Sequence, residues 1–64
     1  MTMEELVSRE RYPYEVARYL HISKFRMRKL MEHVTFVCQN DSEYAQRKLP
    51  PSVVIKIVNF YNSL

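Results

Sequence analysis

The chain is 64 residues long, with ten lysines and arginines against seven aspartates and glutamates, a net charge of +3, one cysteine and no glycine. At this length a fold buries only about 60% of the surface its unfolded chain exposes, which bounds the chain to one small domain and makes a deep enzyme cleft hard to build. The lack of glycine excludes the Gly-rich phosphate loops of nucleotide-binding folds, and no apolar run approaches the roughly 20 residues that span a bilayer.

In chain order, the spacing predicts a short first helix over about residues 3–10. Thr2 and Glu5 have the spacing of a capping box, in which the threonine side chain accepts from the backbone and the glutamate reaches back. Met3, Leu6 and Val7 supply an apolar face. Glu4 and Glu5, with no long apolar core beside them, set the N-terminus apart from a signal peptide, so a cytoplasmic location is expected. Tyr12-Pro13 punctuates the chain, because proline pushes Tyr12 out of the helical region and suits the first turn of a helix. A second helix, about Pro13 to Leu20, places Val16, Ala17 and Leu20 on one face, with Glu15 in the first turn where the dipole favours an acid. His21-Ile22 ends it, and Ser23 is placed to cap a third helix from about Lys24 to His33. Met27, Leu30 and Met31 are its core stripe, and Lys24, Phe25, Arg28, Lys29 and Glu32 fall mostly away from it.

Residues 34–39 are β-branched and aromatic, with Phe36 and Cys38 alternating against Thr35, Val37 and Gln39, which predicts a strand. Asn40-Asp41-Ser42 predicts a turn, since Asn and Asp tolerate left-handed angles. Residues 43–47 then predict a return strand with Tyr44 and Gln46 on one side. Together they make a hairpin over about 34–48, ended by Pro50-Pro51. The last segment has strand-like β-branched residues, but Val53, Ile57, Phe60 and Leu64 recur at helical spacing with Val54, Val58 and Tyr61 beside them. A C-terminal helix over about 51–62 is the expectation. Cys38, without a partner, fits a reducing compartment and a core position.

The charge is unevenly placed. From Val16 to Met31 there are five basic residues and no acid. That is the footprint of a phosphate-binding surface, against the plainer reading of a solvated basic helix face. The helices on either side of His21 to Ser23 meet the demands of a helix-turn-helix. Ala17 is small where the helices cross, Ile22 is apolar in the turn, and Met27 and Leu30 anchor the second helix. Its outward face then carries Lys24, Phe25, Arg28 and Lys29. Such a helix can enter the major groove, with arginine bridging guanine acceptors and lysine holding phosphates.

The segments EVARYL (Glu15 to Leu20) and ISKFRMRKL (Ile22 to Leu30) resemble the helix-turn-helix of phage and transposon excisionases, and more broadly the winged-helix regulators of the mercury-resistance type. The pattern in those families is Glu-Val/Ala-Ala-x-x-Leu, then Gly-Val/Ile-Ser, then a basic recognition helix. Glu15, Val16, Ala17, Leu20, Ile22 and Ser23 match it, and His21 departs from it where glycine is common. The resemblance spans about residues 12–61. It implies a mainly α, winged helix-turn-helix fold that binds double-stranded DNA. The recognition helix would use Ser23, Lys24, Phe25, Arg26, Arg28 and Lys29, with Arg18 behind it. The wing would present Arg47 and Lys48 at its base and a polar tip at 40–42. Asp41 and Glu43 fit poorly against phosphate, so the wing is the weaker expected contact. The implied role is a recombination directionality factor that bends DNA beside an integrase or further copies of itself.

Plainer readings stand beside each of these. Phe25 either meets a thymine methyl or packs on Tyr19 or another helix. Arg18 either reaches phosphate or pairs with Glu15. Tyr12 and Tyr14 either offer hydroxyls to phosphate or pack. His21 and His33 lack cysteine partners at ligand spacing for zinc. No paired carboxylates and no Ser-His arrangement suggest catalysis, so neither an enzyme nor a cofactor is expected. A transcriptional regulator of the same fold is the near rival, since fold does not fix function. A protein-interaction module that inhibits or recruits a host protein is the other, with Phe60, Tyr61 and Leu64 as a partner or dimer surface.

Overall fold

Five helices make up the fold: α1 (Met3–Leu6), α2 (Pro13–Leu20), α3 (Lys24–Val34), α4 (Asp41–Gln46) and α5 (Pro51–Asn62). The computed structural model describes all 64 residues and contains no β-strand. Its one β-type contact is an isolated antiparallel bridge between Arg11 and Leu49. No helix is long and apolar enough to cross a membrane.

The capping box at Thr2 forms as its spacing predicts, with Thr2 Oγ1 accepting from Glu5 N at 3.2 Å and Glu5 Oε1 accepting from Thr2 N at 3.4 Å. The helix, however, stops at Leu6, well short of the expected residue 10. Arg11 is the reason. It is the one buried charged residue, 4% exposed. Its Nε donates to the Leu6 carbonyl at 2.9 Å and its Nη2 donates to the Glu5 carbonyl. In a longer helix those carbonyls would accept from the N–H groups of Arg9 and Glu10. The guanidinium takes their place and turns the chain back. Its Nη1 donates to Glu15 at 3.3 Å, and the other oxygen of Glu15 accepts from Tyr12 N at 2.8 Å, which closes the start of α2.

The end of α2 is a tight reversal. His21 N donates to the Arg18 carbonyl at 3.2 Å and Ile22 N to the Ala17 carbonyl at 3.0 Å, the paired bonds of a Schellman motif. That motif requires a left-handed residue, and His21 has φ 57° and ψ 44°. With no glycine in the chain, histidine fills the position and carries the steric cost of its Cβ. Ile22 follows as the apolar residue that packs back. Ser23 then caps α3, its Oγ accepting from Arg26 N at 3.2 Å.

The predicted hairpin over 34–48 is not formed. Residues 35–40 have no regular structure, and Asp41 to Gln46 are helical. The alternation survives in part, with Cys38 buried, Phe36 half-buried and Thr35, Val37 and Gln39 exposed. There is no return strand for it to pair with, and an isolated two-stranded hairpin has little stability of its own. Asn40 acts as a helix cap rather than a turn residue. Its Oδ1 accepts from Glu43 N at 2.8 Å, while Glu43 Oε2 accepts from Gln39 N at 3.0 Å. Tyr44 is buried, whereas Gln46, expected on the same side, is exposed. The polar cluster that suits a turn is also the cluster that starts a helix.

One core joins these pieces. Val16 and Ala17 of α2, Met27, Leu30 and Met31 of α3, and Val54, Ile57 and Val58 of α5 are buried together with Leu6, Cys38, Tyr44 and Leu49. In α3, Val34 adds one half-buried residue to the expected stripe. In α5 the buried stripe is Val54, Ile57 and Val58, with Tyr61 half-buried, and Leu64 lies beyond the helix end, 75% exposed. β-Branched residues cost a helix about 0.5 kcal/mol each, while burying a valine or isoleucine is worth about 1.5–3 kcal/mol, so burial decides.

Two stability measurements test these joints. Arg11→Met removes the donors from two carbonyls and from Glu15. It is expected to lower the unfolding free energy by about 3 kcal/mol in urea. At the turn, His21→Val is expected to cost about 1–2 kcal/mol, whereas His21→Gly leaves stability equal or higher. Equal stability of the two His21 variants would argue against a left-handed residue there.

Candidate nucleic-acid interface

Capped by Ser23 and tied to α2 by the turn, α3 presents its sides in three directions. Met27, Leu30 and Met31 face the core. At 100° per residue the opposite side is Phe25, Lys29 and Glu32, with Lys24 and Arg28 on one flank and Arg26 and His33 on the other. The basic residues that look like one cluster in the sequence are therefore spread around the helix.

The first flank is answered by an acid. Asp41, at the start of α4, lies 3.4 Å from Lys24 Nζ and 3.1 Å from Arg28 Nη1. Arg28 Nη2 also donates to the Cys38 carbonyl at 3.0 Å, and the side chain is only 30% exposed. Arg28 thus straps α3 to residues 38–41. Lys24 and Asp41 are well exposed, and ion pairs of that kind contribute roughly 0–1 kcal/mol.

The other flank and the outward side, where Glu32 also stands, hold no ion pair. Arg26 and Lys29 have no carboxylate partner, and neither have Arg18, Lys48 and Lys56. Phe25 is 70% exposed at the centre of the outward side, with Lys29 Nζ 5.7 Å from its ring centroid. Between α3 and α5 runs a groove of about 360 Å³, lined by Arg26, Lys29, Leu30, His33, Phe60, Tyr61 and Leu64. Its aromatic wall is held by α3 itself, through His33 stacked on Phe60 at 5.3 Å and Arg26 over Tyr61 at 6.0 Å.

The remaining predicted residues are placed as follows. Ser23 Oγ accepts within the cap, which leaves its hydroxyl hydrogen as a donor. Arg18 does not pair with Glu15, which is taken by Arg11 and Arg9, and instead lies over the Tyr14 ring at 5.9 Å. Arg47 is engaged within the fold, over Phe36 at 4.3 Å and 3.1 Å from Glu43. Lys48 lies over Tyr12 at 5.5 Å. Cys38 is buried, and that burial pushes its thiol up despite the nearby Arg28, so the nucleophilic thiolate is disfavoured at neutral pH. Burial likewise pushes the Tyr44 hydroxyl up.

Sequence reasoning missed Arg11 and the double role of Asp41. Arg11 and Glu15 have the i, i+4 spacing of a helical ion pair, which was a usable signal. Asp41 is 13 residues from Arg28, and no local pattern links them.

Asp41 neutralises the two cations on this flank of α3. If this flank meets duplex DNA, Asp41→Asn is expected to raise the affinity by about three- to tenfold at low salt, the effect of roughly 1 kcal/mol of exposed charge. Fluorescence anisotropy with a labelled duplex measures it, and unchanged or weaker binding would remove Lys24 and Arg28 from the contact. Comparison with protein-family models, curated proteins and solved structures finds nothing that matches this chain.

Proposed function

We propose that this protein binds double-stranded DNA in a sequence-specific way, with α3 as the helix that enters the major groove. The observation that carries the reading is the mounting of α3. Three buried anchors, a capped N-terminus and a tight turn from α2 hold it in place, while Phe25 and Lys29 stand exposed and Arg26 is unpaired. The first-turn N–H groups and the absence of acid in that turn favour phosphate at the helix start. Arg26 and Lys29 are the residues assigned to groove and phosphate contact. Lys24 joins them once phosphate displaces Asp41, and Ser23 adds a hydroxyl donor.

The reading rests on α2, the turn and α3. It gives no role to a wing, because residues 35–46 form a loop and a helix instead of a hairpin. Within it, the likeness of residues 15–30 to excisionase segments favours an accessory role in DNA recombination, beside an integrase or further copies of this chain. A transcriptional regulator with the same helix-turn-helix is the alternative.

A second reading, a protein-interaction module, is favoured by the groove between α3 and α5, where Phe60, Tyr61 and Leu64 stand beside Arg26 and Lys29. The two readings separate in a gel shift with mixed-sequence duplex at two salt concentrations. DNA binding predicts steep loss with salt. The double variant Arg26→Gln, Lys29→Gln should bind about tenfold more weakly, with a salt slope lower by about two. No retarded duplex at low salt would end the DNA reading and leave the groove as the functional surface.

A further inference from the structure

A second surface lies apart from the outward side of α3. Tyr12 and Tyr14 stack with ring centroids 5.9 Å apart and planes 15° from parallel. Lys48 Nζ sits 5.5 Å from the Tyr12 centroid and Arg18 Cζ 5.9 Å from the Tyr14 centroid. The order is cation, ring, ring, cation, drawn from the start of α2, its second turn and the segment before α5. Neither cation has a carboxylate partner. Tyr14 is 48% exposed, and with Arg18 it forms a ridge between two grooves of about 380 and 370 Å³.

We propose that this row is a stacking platform for unpaired nucleotides of a single-stranded nucleic acid, with the bases on the tyrosine rings and the phosphates on Arg18 and Lys48. The magnitudes favour this exchange. An exposed cation over a ring is held by only about 0.5–1 kcal/mol. A base stacked on an aromatic side chain is worth about 1–3 kcal/mol, and the displaced cation gains a phosphate. Duplex DNA keeps its bases stacked on one another and cannot use the rings in this way. The platform is therefore selective for unpaired strands and tolerant of sequence, since every base has a face to stack. It does not depend on α3 binding a duplex.

The test uses the full chain and a labelled oligothymidylate of about twelve nucleotides, followed by anisotropy at low salt and by tyrosine fluorescence. With no tryptophan in the chain, the emission reports tyrosines. Binding with quenching is expected. Tyr14→Leu should weaken it about tenfold, while Tyr14→Phe, which keeps the ring, retains it. Arg18→Gln and Lys48→Gln should each lower the salt slope by about 0.7. Circular dichroism checks that each variant is folded. No binding by the native chain, or equal losses in Tyr14→Leu and Tyr14→Phe, would overturn the proposal. So would loss of oligothymidylate binding in Arg26→Gln, Lys29→Gln with none in Tyr14→Leu. Oligothymidylate binding in a protein that ignores duplex would leave the platform standing while the α3 reading falls.

Discussion

The architecture depends on the buried guanidinium of Arg11. Burying a charge is costly unless every donor finds a partner, and arginine offers five donors in a rigid fork. Here the fork spans the end of α1 and the start of α2, taking two carbonyls and the Glu15 carboxylate. The backbone of the same residue pairs with Leu49, with N–O distances of 3.0 and 2.7 Å, so the segment before α5 is tied to the same point. Three stretches of chain are joined at one residue, two by its side chain and the third by its backbone. In a protein too small for a large core, that joint sets how α2 leaves, and with it where α3 is carried.

A second constraint is where the fold places the acids that pair with the cations. Glu15 serves Arg9 and Arg11, Asp41 serves Lys24 and Arg28, and Glu43 serves Arg47. The charge left over is not spread evenly. Apart from Lys56 on α5, it lies on Arg26 and Lys29 beside the α3–α5 groove, and on Arg18 and Lys48 at the ends of the tyrosine row. Both surfaces set aromatic rings next to unpaired cations. They differ in form, since one flanks a mounted helix and the other is an open ridge, and that difference underlies the two kinds of nucleic acid assigned to them.

Much of the frame was legible in the residues. The capping box at Thr2, the start of α2 at Pro13, the cap at Ser23 and the anchors Met27, Leu30 and Met31 all follow from rules that act within a few residues. His21 illustrates the limit of such rules: its departure from glycine is visible in the sequence, while its left-handed angle belongs to the folded turn. Asn40 to Ser42 reads as a turn because the same polar side chains start helices, and nothing nearby distinguishes the two uses. The β-branched run of α5 has strand-like local preference, and burial against α3 overrides it.

The sequence by itself determined α2, α3 and the side of α3 that would be buried, because capping and apolar periodicity are local. Tertiary structure alone decided which basic residues are available. Whether an arginine is free depends on an acid brought near by folding, as Asp41 is to Arg28, and no spacing rule reaches across that distance. It also decided that residues 34–48 carry no hairpin, because a strand needs a partner that only the whole fold can supply or withhold.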